Sequence, residues 1–165
     1  MTNRIDGNLY VTGTLKVGSM DLPAAAVTDA NMDPANPIDV DKQIHQYVHT
    51  YSQNRAAAVA AERKAVFSAT GDGTLVNVQA GVTQAAVGDS TITVDVYKNG
   101  VSVLTGVLTI DSGDAAFATQ TAAVNLGSEG YSAGQVFEVV VAVTAGTGTL
   151  PRGVYVSLTV NEEVG

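Results

Sequence analysis

The chain contains no cysteine and no tryptophan. Without thiols it can build neither a disulfide framework nor a thiolate metal centre, and nothing in it reports a redox compartment. Aromatics are scarce, six Tyr and three Phe in 165 residues, so a core has to be filled mainly by aliphatic side chains. Bases are few as well. From Thr70 onward nine acids face only Lys98 and Arg152, whereas the residues before Thr70 hold seven acids and six bases. The formal net charge of −8 is therefore concentrated in the C-terminal part, and a surface of that sign repels phosphate backbones and anionic lipid. Nucleic-acid binding is not expected. Long apolar runs are missing too. The longest, "VFEVVVAV", is far too short to span a bilayer and is interrupted by Glu138. The opening "MTNRIDGN" lacks the apolar stretch of a secretory signal. A soluble protein with no membrane partner is the expectation.

What is present is Val, Ala, Thr and Gly, within an apolar fraction of 45%. Such a composition favours strands joined by tight turns. Candidate strands are Ala65–Ala69, Thr74–Ala80, Ser90–Lys98, Val101–Ile110, Ala115–Leu126, Gln135–Thr144 and Gly153–Asn161, separated by turn sequences such as "TGDGT", "KNGV" and "DSGD". Regular spacing of this kind predicts an all-β fold, an antiparallel β-sandwich of jelly-roll-like or immunoglobulin-like topology, over residues 61–165. Asn99-Gly100 predicts a two-residue type I′ turn. That turn sets Val96 opposite Val103, Val94 opposite Thr105 and Ile92 opposite Val107. Leu104, Leu108 and Ile110 then fall on a nominally wet face, so either Gly106 forms a bulge that turns Leu108 and Ile110 inward or the face is covered. "QVFEVVVAVT" poses the same question: Phe137, Val139, Val141 and Val143 make one face, yet Val136, Val140 and Ala142 make the other apolar too. A neighbouring subunit is the expected cover.

Residues 1–60 read as an arm too small to fold alone, whose apolar elements need partners from other chains. "DGNLYVTGTLKV" alternates strictly, with Leu9, Val11, Leu15 and Val17 on one face and Tyr10, Thr12, Thr14 and Lys16 on the other, the pattern of a strand with one face buried. The turn-rich stretch from Gly18 to Pro37 offers it no partner, and an unpaired strand attracts another chain. Further on, Ile44, Tyr47, Val48 and Tyr51 follow the i, i+3, i+4, i+7 spacing, which predicts one short helix over about 39–55 capped by Asp39 or Asp41. A helix so short has to dock its stripe on something.

Signals for chemistry are sparse. His45 and His49 stand four apart, a spacing that can aim two imidazoles at a metal, but the zincin pattern needs Glu where Gln46 stands. They read as polar flanks. Asp72, Asp89, Asp111 and Asp114 lie in Gly-containing turns, where Asp is favoured for its own backbone hydrogen bonds and no calcium-loop spacing is met. There is no G-x-S-x-G, and "GDGT" lacks the lysine of a phosphate-binding loop. No catalytic residue, metal site or cofactor is expected, and the chain does not read as an enzyme. Tyr97, Tyr131 and Tyr155 are candidate platforms for a glycan, each equally readable as a partly buried sandwich residue.

"GNLYVTGTLKVGSMDLPAAAVTDANM", "IDVDKQIHQYVHTYSQ" and "AAERKAVFSATGDGTLVNVQAG", with "GDSTITVDVYKNGVSVLTGVLTIDSG" and "YSAGQVFEVVVAVTAGTGTLPRGVYVSLTV", resemble tailed-bacteriophage virion proteins. These decorate the capsid as cement proteins or head fibres, with related segments in tail fibres. The likeness runs over nearly the full length and is one of segment order, not of a catalytic signature. It implies a homotrimer on the outer capsid surface of the virion. The N-terminal arm would engage the major capsid protein, or another virion protein, through Leu9, Tyr10, Val11, Leu15 and Val17. Ile44, Tyr47, Val48 and Tyr51, with Val140 and Leu108, would form the trimer interface. The alternative is a tail or head fibre whose sandwich tip binds a receptor or glycan.

Overall fold

A computed structural model describes residues 44–163. The strand expected over 6–17, with Leu9, Tyr10, Val11, Leu15 and Val17, lies outside the described residues. Ten strands follow one another: β1 Ile44–Ser52, β2 Glu62–Ser68, β3 Gly73–Gln84, β4 Thr91–Lys98, β5 Val101–Ser102, β6 Leu108–Ile110, β7 Thr119–Ala122, β8 Gly130–Tyr131, β9 Val136–Thr144 and β10 Arg152–Glu163. They form two antiparallel sheets. The first runs β1-β10-β3-β7, with β8 also on β3; the second runs β2-β9-β4-β5, with β6 also on β4. Consecutive strands β1 and β2 thus sit in different sheets, each beside one arm of the late β9–β10 pair. A double ribbon wrapped in this way is a jelly roll. The immunoglobulin-like alternative, which keeps its first two strands in one sheet, does not fit.

The core lies between the inward faces. Phe137, Val139 and Val141 of β9, Ile92, Val94 and Val96 of β4, Val78, Ala80 and Val82 of β3, and Val154, Val156, Leu158 and Val160 of β10 are all buried. Strict alternation puts these residues there, because successive strand side chains point to opposite faces.

The expected helix over 39–55 is overturned where it is described: Ile44–Ser52 is β1, paired along its whole length with β10 from Ile44↔Glu163 to Ser52↔Tyr155. The segment carries two periods at once. Its helical stripe is real as a spacing, but His45, Tyr47, His49 and Tyr51 also alternate, and every ring falls on one strand face. Tyr, Val, Thr and His suit a pleated strand better than a helix, and β10 supplies the hydrogen bonds that a short isolated helix would have to find within itself. The sandwich therefore begins upstream of residue 61.

The hairpin after β4 follows the expected turn and then departs from the expected register. Asn99 and Gly100 both have positive φ, 49° and 85°, and the Val103 amide donates to the Val96 carbonyl at 2.9 Å. Beyond Val103 the chain leaves the sheet: Leu104 bridges Val124, and the Thr105 amide donates to the Ala123 carbonyl. It returns as β6 with Val94 opposite Leu108 and Ile92 opposite Ile110, so neither Val94–Thr105 nor Ile92–Val107 forms. The excursion through Gly106 turns Leu108 and Ile110 into the core, the first of the two readings offered by the sequence.

Candidate interaction site

Leu108, expected in a trimer interface, is 6% exposed inside this chain's own core and has no surface to offer. Val140 does point outward. It lies half-buried on the outer face of the second sheet, opposite Arg63 of β2 and Asp95 of β4. That face is closed by its own charges. Arg63 donates to both Glu138 carboxylate oxygens, at 2.5 and 3.1 Å, and its guanidinium lies 5.0 Å from the centre of the Tyr97 ring. Ser102 Oγ donates to Asp95 Oδ1 at 2.8 Å. Arg63 holds the Glu138 carboxyl below the usual carboxylate range.

The remaining interface candidates are on β1. Tyr47 and Tyr51 point toward the second sheet and Val48 points away, so Tyr47, Val48 and Tyr51 form no common stripe; nor do β1, Val140 and Leu108 share a surface. The inward ring face of β1 meets β2 across the open side of the sandwich. His49 stacks on Phe67 at 4.1 Å and 5°, Phe67 stacks on Phe137 at 4.9 Å, and Tyr131 meets both phenyl rings edge-on at 5.7 and 5.4 Å. Below this column the Tyr51 hydroxyl donates to Glu62 at 2.6 Å, and Gln53 Nε2 donates to the Tyr51 hydroxyl at 2.7 Å. Lys64 Nζ stands 6.0 Å from the centre of the Tyr51 ring. Burial pushes the Tyr51 phenol up to about 12, and its bond to Glu62 adds to the rise. Burial likewise takes Tyr131 to about 12, with the Glu162 charge contributing.

These contacts stitch the two edge strands together at intervals and leave two clefts between them. One, of about 290 Å³, is lined by Tyr47, His49, Phe67, Ser68, Thr70 and Glu162. The other, of about 280 Å³, is lined by Thr50, Tyr51, Ser52, Lys64, Ala65 and Val66. A third, of about 340 Å³, lies between the start of β3 and β8, with Asp72, Thr74, Ser132 and Gln135 on its walls.

The polar groups singled out from sequence are mostly engaged. Asp89 Oδ1 accepts from the Thr147 amide (2.6 Å), the Thr147 hydroxyl (3.1 Å) and the Gly148 amide (2.8 Å), which hold its carboxyl below the usual range. Asp111 accepts from the Gly113 amide and Asp114 from the Asp111 amide, closing their own turn. His45 lies near Tyr47 with ring centres 6.3 Å apart. Among the described residues no group of three His, Cys, Asp or Glu side chains converges. The three tyrosines proposed as glycan platforms are covered: Tyr97 by Arg63, Tyr131 by the ring cluster, and Tyr155 by the backbone of Gly81, where a Cβ would collide with its ring. The more exposed aromatics are Tyr47, at 45%, and Phe117, at 63%. Phe117 sits at φ 64° in a turn inside the stretch expected to be the strand Ala115–Leu126; of that stretch Thr119–Ala122 is a strand and Val124 adds a single bridge to Leu104. Its amide donates to the Val82 carbonyl, which places it at the end of the sandwich where β1 finishes.

No family model matches the chain, and no curated protein matches it. Among solved structures it is similar to "Structure of infectious bursal disease virus Gx strain", at 17% identity and TM-score 0.40 over 75% of this chain and 33% of that one. It is similar also to the structure of the Gt strain of the same virus, at 15% identity and TM-score 0.32, covering 75% and 37%. A further match is to a D431N mutant VP2 protein of that virus, from derived T=1 particles, at 15% identity and TM-score 0.29. The chain spans about a third of the length of these solved chains. At such scores the fold assignment rests on strand order, and the likeness carries nothing about function.

Proposed function

We propose that this chain is a structural, non-enzymatic protein of a virus particle: a homotrimeric capsid decoration or cement protein on the outer surface of a tailed-bacteriophage head. Its N-terminal arm, through Leu9, Tyr10, Val11, Leu15 and Val17, adds a strand either to the shell protein or to its own copies, and the jelly roll projects outward. The observation that carries this reading is how the ionisable side chains are spent. Asp89, Asp111 and Asp114 close turns, Arg63 and Glu138 neutralise each other on a sheet face, and Glu62 caps Tyr51. A surface built that way serves adhesion, and it agrees with the segment order the sequence shares with virion proteins. The acidic balance keeps closely spaced copies soluble. The test is co-sedimentation with purified shells that lack the protein. The full chain pellets with shells and raises their resistance to heat, and a variant lacking residues 1–30 stays in the supernatant. Equal pelleting of both overturns the arm's role.

One observation favours a second reading, a fibre with a receptor- or glycan-binding tip. Phe117 is an exposed aromatic held in the left-handed region, a conformation that costs a side chain about 1 kcal/mol or more and is concentrated at working sites. On a glycan array this reading requires a signal that Phe117→Ala removes and deletion of 1–30 leaves intact.

A further inference from the structure

The outer edge of β1 is an open template. In the antiparallel β1–β10 ladder the paired positions sum to one constant, and the Gln53 amide donates to the Val154 carbonyl in the same register. Hydrogen-bonded positions recur every second residue. Tyr47, His49 and Tyr51 therefore bond to β10, while Gln46, Val48, Thr50 and Ser52 aim their N–H and C=O groups away from it. Among the described residues no strand takes those groups. The edge is nine residues long and contains no proline, Lys, Arg, Asp or Glu, so it lacks the usual devices that keep a strand edge from pairing. On its inner side lie the two clefts between β1 and β2, spaced along the strand. Main-chain pairing beside pockets for alternate side chains is the mode by which an extended segment adds to a sheet.

We propose that this edge receives the segment Asn8–Val17 of a neighbouring copy. The proposal rests on the homotrimer part of the reading above and not on shell attachment. Three features select this occupant. Its faces match: Leu9, Val11, Leu15 and Val17 continue the inner surface over the clefts beside Tyr47, Phe67, Ala65 and Val66. Tyr10, Thr12, Thr14 and Lys16 continue the outer face of Gln46, Val48, Thr50 and Ser52, which is polar apart from the exposed Val48. Charge permits it, because Lys16 is the single side chain in the segment that is charged at pH 7 and β1 carries no acid or fixed base, in a chain whose net charge of −8 otherwise drives copies apart. Reach permits it as well: residues 18–43 span up to about 90 Å when extended, against about 30 Å for β1 itself. Each copy gives one segment and receives one, a heterologous contact that closes into a ring.

The experiment uses the full chain and two substitutions, read by size-exclusion chromatography with light scattering. Val48→Pro removes one outward amide and no bond to β10; Val11→Asp puts a charge on the face of the donor segment that packs over the clefts. The wild type is expected at three times 16.8 kDa, each variant at one third of that mass with unchanged far-UV circular dichroism, and an equimolar mixture of the two at twice the single-chain mass. In the mixture an intact segment meets an intact edge only once. If Val48→Pro distorts the strand, Val48→Lys blocks the edge with every backbone group kept. Edge variants that keep the threefold mass overturn the site while leaving the trimer standing. A Val11→Asp chain that keeps it overturns the occupant. A monomeric wild type overturns both this inference and the trimer, and leaves shell binding to its own assay.

Discussion

The two sides of the sandwich solve the edge problem in opposite ways. On one side the sheets end in β5, β6, β7 and β8, none longer than four residues, and the chain between them crosses from sheet to sheet at Leu104–Val124. Fragments that short present no continuous row of free amides, and the crossing covers what remains. On the other side stand β1 and β2, nine and seven residues long. β2 begins with Glu62, Arg63 and Lys64 and has a register shift between Ala65 and Phe67, so charge and irregularity guard it. β1 has neither. Among the described residues three edges are protected and the fourth is straight and uncharged, which is why the proposed docking falls on β1.

The largest way to break this contrast is to attack the closed side. Leu108 holds β6 against the core, and Leu108→Ala is expected to lower the unfolding free energy by about 2–5 kcal/mol while the oligomeric mass of the wild type is kept. A residue of a subunit interface would instead shift the mass and leave the stability of the fold nearly unchanged, and that result would return Leu108 to the surface. Next in size is the turn that starts the same side. Gly100 has φ 85°, so Gly100→Ala is expected to cost about 1 kcal/mol through backbone alone, because the nearest atom to an added Cβ is 3.9 Å away.

Both sides differ in how far they can be read from the sequence. Regular alternation in β4, β9 and β10 and the Asn99-Gly100 pair announced the central strands and one turn, and the core they form follows directly. The closed side was harder, because Val101–Ile110 looks like one strand while its middle leaves to bridge Val124; no local preference records a partner twenty residues further on. The open side misleads for a different reason. Nine residues carrying Ile44, Tyr47, Val48 and Tyr51 satisfy a helical spacing, and the period-two run of His45, Tyr47, His49 and Tyr51 was the competing signal. Absence of Ala, Leu, Glu and Lys from "IHQYVHTYS" was the available arbiter. The clefts of the site were not legible at all, since they arise from β1 and β2 facing each other across two sheets. Phe117 gave no hint either, because a left-handed phenylalanine is imposed by its surroundings and not by its own preference.

A smaller effect sharpens the contrast through pH. Tyr51 sits on the open side with its phenol raised from 10.0 to about 12, burial first and Glu62 second. The folded chain keeps that proton where the unfolded chain has released it. The resulting stabilisation is complete below pH 10 and is lost as pH rises toward 12. Tyr51→Phe is expected to flatten the fall of Tm over that window and to leave the part due to Tyr131, which is raised for the same leading reason. An unchanged slope would mean that Tyr51 titrates as though in water, and that the stitch between the two edge strands is open in solution.

The finest test reads the difference within β1 itself by amide hydrogen exchange. Amides of Tyr47, His49 and Tyr51 point into the ladder and are expected to exchange slowly, at the rate of the β10 amides they face. Those of Gln46, Val48 and Thr50 point outward, and their rate depends on what lies beyond the edge. In a Val11→Asp chain they are expected to exchange like exposed loop amides, giving a protected, unprotected alternation along one strand. In the wild type the proposed docking is expected to slow every outward position together. Burial by a side chain or a loop would protect one or two of them and leave the others fast, because only a paired strand satisfies each outward N–H in turn. The pattern of protection, more than its size, therefore separates a strand added to the sheet from any looser cover.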